Sequence, residues 1–340
     1  IVMANLFLRS PRTFSAIGTS GWNSAKLTLV VNNVTIYTLI KNRITNSAVD
    51  FEVSELIKDY LNISYDGTIN ELEQSVVISV AITIFNGLNG TGTLNQTPTG
   101  LIFLGIDAYG YFEEGANPTT TKGYMQSNTV IYNLSGQNLR IPIDVNNVTR
   151  WDALKNGAII QGAIVPNNSN KVFEYIEVDS NADRLGLGIT GPFVTFIDII
   201  NIKECRYQPH KISFVNRWGA IQDLYFFKKS IDKISTTKES FKSSNVTSGG
   251  VYSVTSHSNK DFNVKSNKSI TLNSGYVSED YNAPMQELLQ SELVWMEVGG
   301  VVTPMNVTDS SLVFKTSAND KLVDYKLELK FAYDAINNMR

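Results

Sequence analysis

Cysteine is nearly absent. The 340 residues hold one, Cys205, and a single thiol cannot close an intramolecular bridge, so the fold stands without disulfides. Histidine is as scarce: His210 and His257 are the only two, too few for a histidine-built metal centre. Charged residues make up 18%, below the roughly one quarter of an average globular domain. Asn, Ser and Thr take their place. The formal charge is -3, so the basic excess that marks a nucleic-acid-binding domain is missing. No apolar run reaches the ~20 residues a membrane-crossing helix needs. The opening, Ile1-Val2-Met3-Ala4-Asn5, lacks the basic and apolar regions of a secretory signal. The expectation is synthesis in a cytoplasm, with no export by the general route.

What is present is apolar and aromatic. With 42% hydrophobic residues, 16 Phe and 15 Tyr, a chain of this length fills two domains comfortably. A neutral-polar surface rich in aromatics suits a protein that works inside an assembly. The chain is read around residues 205–230, where Ile212 and Phe214 alternate with Lys211 and Ser213. The pattern breaks at Asn216-Arg217-Trp218-Gly219 and resumes as Leu224-Tyr225-Phe226-Phe227, which spells strand, tight connection, strand. Its aromatic and basic mix suits a surface packed on one side and open to a partner on the other. The plainer alternative is a core hairpin with solvated basic tips. Arg217, Trp218 and Tyr225 are therefore interface candidates, together with Trp22, Tyr109 and Tyr111.

The rest reads as short strands between polar breaks. Residues 4–20 look like an extended arm. Residues 25–40 form a hairpin turning at Asn32-Asn33, and 50–61 have helical spacing with Ser54 as N-cap. Residues 74–85 are apolar on both faces and predict a central strand buried on both sides. Further strands are expected at 101–106, 129–134, 139–145, 158–165, 172–178 and 193–197. Residues 86–125 and 235–270 read mostly as long loops of the kind that make contacts. A second short helix over 278–289 places Pro284 in its first turn. Strands at 293–298, 301–307, 312–316 and 323–331 finish the chain. The fold class is mainly β (α+β): two sandwich- or barrel-like modules, 1–205 and 206–340, each with one short flanking helix.

No arrangement of residues points to chemistry. Gly186, Gly188 and Gly191 spell G-x-G-x-x-G, but a strand pattern follows where a dinucleotide loop needs a helix, so this is a glycine-bearing turn. Cys205 and His210 are five apart, which puts them on opposite faces of any shared strand. Glu113-Glu114 is the only carboxylate pair in a suggestive loop, and adjacent loop acids are ordinarily just solvated. Asp50, Asp66 and Asp107 lack the spacing of a calcium loop. Tyr225-Phe226-Phe227 beside Lys228-Lys229 reads as core in preference to a base-stacking platform. No catalytic residue, cofactor or metal is assigned, and the chain is read as a non-enzyme.

Five segments carry a resemblance: residues 3–12 (MANLFLRSPR), 49–61 (VDFEVSELIKDYL), 210–230, 272–296 and 310–340. They resemble virion structural proteins of tailed bacteriophages, of the type infecting marine and Bacteroidetes hosts. The resemblance implies a tail-tube, distal-tail or baseplate-hub fold, assembled with copies of itself in a ring and with other tail proteins. It implies location in the virion, no sequence-specific nucleic-acid contact and no membrane. It supplies no catalytic residues. The loops 86–125 and 235–270 and the N-terminal arm would make the contacts. The competing expectation is a receptor- or glycan-binding β protein, with Trp22, Tyr109, Tyr111 and Trp151 stacking on sugars.

Overall fold

The computed structural model describes residues 4–44, 47–118, 123–166, 171–188, 195–309 and 322–336. The fold is mainly β, with 52% strand and 8% helix. The expected strand at 312–316 and Gly191 lie outside the described residues.

The N-terminal part forms β1 (Ala4–Phe7), β2 (Thr13–Ala16), β3 (Ser24–Val31), β4 (Val34–Asn42), β5 (Val49–Glu52), α1 (Ser54–Lys58), β6 (Ser75–Phe85) and β7 (Thr99–Ile106). One sheet runs β1-β7-β6-β3-β4, and β2 pairs with β5 in a second. Asn32 and Asn33 turn β3 into β4 with φ of 48° and 66°, the left-handed pair a two-residue hairpin needs. Leu27 and Leu29 of β3 and Ile78 and Val80 of β6 bury against Phe14, Phe51 and Ile57 of the small sheet and α1. The expected N-terminal arm is thus two paired strands. The helix expected over 50–61 shrinks to α1, because β5 claims 49–52. Ser54 does not cap it: Val53 is the N-cap residue, and the Ser54 hydroxyl donates to the Ser10 carbonyl at 2.8 Å. β6 is central, but only its Val76–Ile78–Val80 face is sealed. Val77 on the other face is 37% exposed, since no second layer among the described residues covers it.

The middle part forms β8 (Val130–Leu134), β9 (Leu139–Asp144), β10 (Arg150–Lys155), β11 (Ala158–Ile164), β12 (Phe173–Val178), β13 (Arg184–Gly188) and β14 (Thr195–Ile202). The sheet β11-β10-β13-β14-β8 shares a core with the β9–β12 pair, in which Trp151, Leu185 and Ile197 meet Ile141, Ile143 and Val178. Gly186 and Gly188 are not in a turn. They alternate with buried Leu185 and Leu187 along β13, so leucine supplies the period-two pattern and glycine the opposite face.

The C-terminal part forms β15 (His210–Val215), β16 (Ile221–Phe226), β17 (Ile231–Lys242), β18 (Asn259–Ser278), α2 (Asn282–Gln290), β19 (Val294–Val298), β20 (Val301–Val307) and β21 (Leu322–Phe331). They make one antiparallel sheet, β16-β15-β19-β20-β21-β18-β17. Phe214, Phe226, Leu272 and Leu327 on one face cover Met285 and Leu288 of α2. The expected boundary at 205/206 falls in the coil between β14 and β15. The residues before it hold two separate hydrophobic cores, only one of which has a helix beside it.

Candidate functional site

The β15–β16 connection, Asn216 to Ala220, is buried instead of solvated. Gly219 takes φ of +80°, and a Cβ there would lie 3.2 Å from the Asp107 backbone. The Asn216 side chain organises the turn: its carbonyl accepts the N–H groups of Trp218 and Ala220 at 3.0 and 3.2 Å, and its amide donates to the Met125 carbonyl at 2.7 Å. Trp218, 5% exposed, packs edge-on against Phe7 of β1 and joins a cluster with Leu104, Met125 and Phe173. One hairpin tip therefore touches all three parts of the chain.

Arg217 is equally enclosed. Its guanidinium stacks 4.5 Å from the Tyr111 ring centroid and 4.7 Å from that of Trp218, and donates to the Glu114 carboxylate at 2.7 Å. Tyr109 donates its backbone N–H to the Arg217 carbonyl at 2.9 Å and its hydroxyl to Gln290 at 2.9 Å, while Arg9 lies over its ring. Of the six interface candidates, Trp22, Tyr109, Arg217, Trp218 and Tyr225 are buried within the chain and only Tyr111 is partly exposed. They are internal contacts, which corrects the expectation that they face a partner. Trp22 and Trp151 are also buried, so three of the four aromatics proposed to stack on sugars have no face to offer.

Glu287 of α2 lies under this junction, 1% exposed. Its carboxylate accepts the Ser127 hydroxyl and, at 3.4 Å, the Arg217 N–H. Burial pushes its pKa up to about 6, against the pull of Ser127 and Arg217. The folded chain thus holds this proton more tightly than the unfolded chain, whose Glu titrates near the ordinary 4.5. Stability from this group is fully present below about pH 4.5 and is lost as pH rises through about 6, a change of about 2 kcal/mol. In Glu287→Gln the amide still donates to Ser127 and accepts from Arg217, and the slope disappears. Urea unfolding of both proteins from pH 4.5 to 7 is expected to show the variant gaining on the parent as pH rises; parallel curves would refute the assignment.

The expected contact loop at 235–270 is instead a strand ribbon. Every residue of β17 is exposed. From Ile234 paired with Lys268 outward to Lys242 paired with Asn259, β17 and β18 have only each other as strand partners among the described residues. Nine residues at ~3.4 Å each make this arm about 30 Å long. Among the described residues, no strand pairs with the outer edge of β17. Phe241 and Phe262 meet edge-on in the arm, with ring centroids 5.6 Å apart. At its tip Val246, Tyr252 and Val254 are exposed and, with Lys242, line a groove of about 660 Å³.

The remaining candidates stay apart. Cys205 is exposed in the coil before β15, and the His210 ring lies 3.2 Å from the Ser230 hydroxyl. Glu114 is engaged by Arg217, and Glu113 faces solvent. Tyr225, Phe226 and Phe227 are packed in the C-terminal core. Among the described residues, no three His, Cys, Asp or Glu side chains converge as metal ligands do, and no helix is long and apolar enough to cross a membrane.

The burial of Arg217 and Trp218 had no local signal, because the partners that enclose them lie from 45 to more than two hundred residues away in sequence. The arm had a partial one, a Ser/Thr/Lys-rich stretch holding isolated Val, Tyr and Phe. Compared with known proteins, the chain matches no family model, no curated protein and no solved structure.

Proposed function

We propose that this chain is a structural subunit of a tailed-phage virion, most simply a ring-forming tail protein of the tip, hub or adaptor, acting through contacts between subunits. The observation that carries the assembly role is the β17–β18 arm. A two-stranded ribbon alone is marginally stable in water, and an uncovered strand edge with exposed Ile234 and Phe241 invites pairing. Such an arm is stabilised when another subunit covers it. The placement in a phage tail rests on the resemblance of residues 3–12, 49–61, 210–230, 272–296 and 310–340. The burial of Trp22, Tyr109 and Trp151 removes most of the support for sugar stacking. Mass photometry and negative-stain imaging of the purified chain are expected to show closed rings at micromolar concentration. A chain that stays monomeric there and is missing from purified virions would overturn the proposal.

A further inference from the structure

The arm is basic and the rest of the chain is acidic. Residues 231–268 hold six lysines against three carboxylates, a charge of +3, which leaves -6 on the remainder. Opposite charges on two surfaces steer and orient their encounter. The groove at the arm tip is apolar inside and has Lys242 in its lining.

The matching projection is Phe112. Its side chain is fully exposed, the most exposed large apolar group among the described residues. It sits on the 3-10 turn Phe112–Glu114, closed by Gly115 at φ of 70°. The turn is fixed from below, because the Glu114 carboxylate accepts the Tyr111 N–H at 3.0 Å and is held by Arg217 at 2.7 Å. Anchoring the turn spares binding the cost of ordering the backbone that carries the ring. Glu113 beside it is an exposed carboxyl side chain.

We infer that the arm-tip groove of one copy receives Phe112 of a second copy, with Val246, Tyr252 and Val254 around the ring and Lys242 facing Glu113. This rests on the assembly role proposed above and names its contact. The full exposure of Phe112 shows that it does not occupy the groove of its own chain. The two surfaces differ, so the contact is head-to-tail: each copy offers one groove and one ring, and repetition closes into a ring when the rotation allows.

The test uses the full chain with Cys205→Ser. Chains carrying Glu113→Cys and chains carrying Lys242→Cys, which keep the Phe112 ring and the apolar groove wall, are purified separately, mixed at micromolar concentration and oxidised. A disulfide-linked dimer is expected in the mixture at several times the yield of either chain alone. Phe112→Ala is expected to weaken self-association at least ~10-fold, as loss of a central aromatic anchor does, with an unchanged Tm because the ring touches nothing in its own chain. If the parent assembles while the mixture gives no selective cross-link and Phe112→Ala associates normally, this contact is wrong and the assembly role stands. If the parent never assembles, both fall.

Discussion

Trp218→Ala is expected to destabilise the chain by about 3–5 kcal/mol, the range for truncating a buried Trp. The indole fills the one cluster to which β1, β7, the middle part and the β15–β16 turn all contribute, through Phe7, Leu104, Phe173 and Ala220. It also forms one wall of the slot that holds the Arg217 guanidinium. Removing it leaves a cavity at the junction and frees Arg217 to drift from Glu114. The separate cores on either side are untouched. The loss should therefore appear as broken cooperativity: a single calorimetric transition in the parent, two or more in the variant, the lowest well below the parental Tm. Trp218→Phe, which keeps an aromatic edge against Phe7, should recover part of the loss. A variant that melts in one transition near the parental Tm would show that the three parts do not depend on this contact.

Excising the arm is expected to abolish assembly and leave folding intact. Replacing residues 234–268 by Asn-Gly joins Lys233 to Ser269, which are already paired, through the turn that favours two-residue hairpins. None of the deleted residues belongs to the C-terminal hydrophobic core, where Ile270 and Leu272 are the first buried apolar residues of β18. The variant should melt within a few degrees of the parent and run as a single chain in mass photometry at concentrations where the parent forms rings. A variant that still forms rings would place the subunit contact elsewhere, on the exposed outer strands β4 or β11.

Where one face of a strand is sealed, the sequence spells it out. β21 alternates Val323, Tyr325, Leu327 and Leu329 with polar residues, and all four are buried. Leu27, Leu29 and Val31 do the same for β3. β17 defeats the same reading, because hydrophobic periodicity reports burial and β17 buries neither face. Its order comes from backbone pairing with β18, which any residue with an N–H and a C=O can make. The junction was hidden for another reason. Asn216-Arg217-Trp218-Gly219 was legible as a turn, but turns are ordinarily solvated. What makes this one internal is a set of partners contributed by residues 7, 104, 111, 114, 125, 173 and 287, and local spacing carries no trace of them.

The edge-on pair of Phe7 and Trp218 sets an order on biosynthesis. Phe7, Leu104 and Ile106 have all been joined to the chain while Trp218 is still more than a hundred residues from being made, roughly 5–20 s at ordinary elongation rates. Through that interval the nascent chain carries an uncapped greasy spot that a chaperone can hold. The ribbon at 231–268, the proposed subunit contact, is translated only after the indole that seals that spot. If the arm is the contact proposed above, each newborn copy can close its own centre before it acquires the means to grip another.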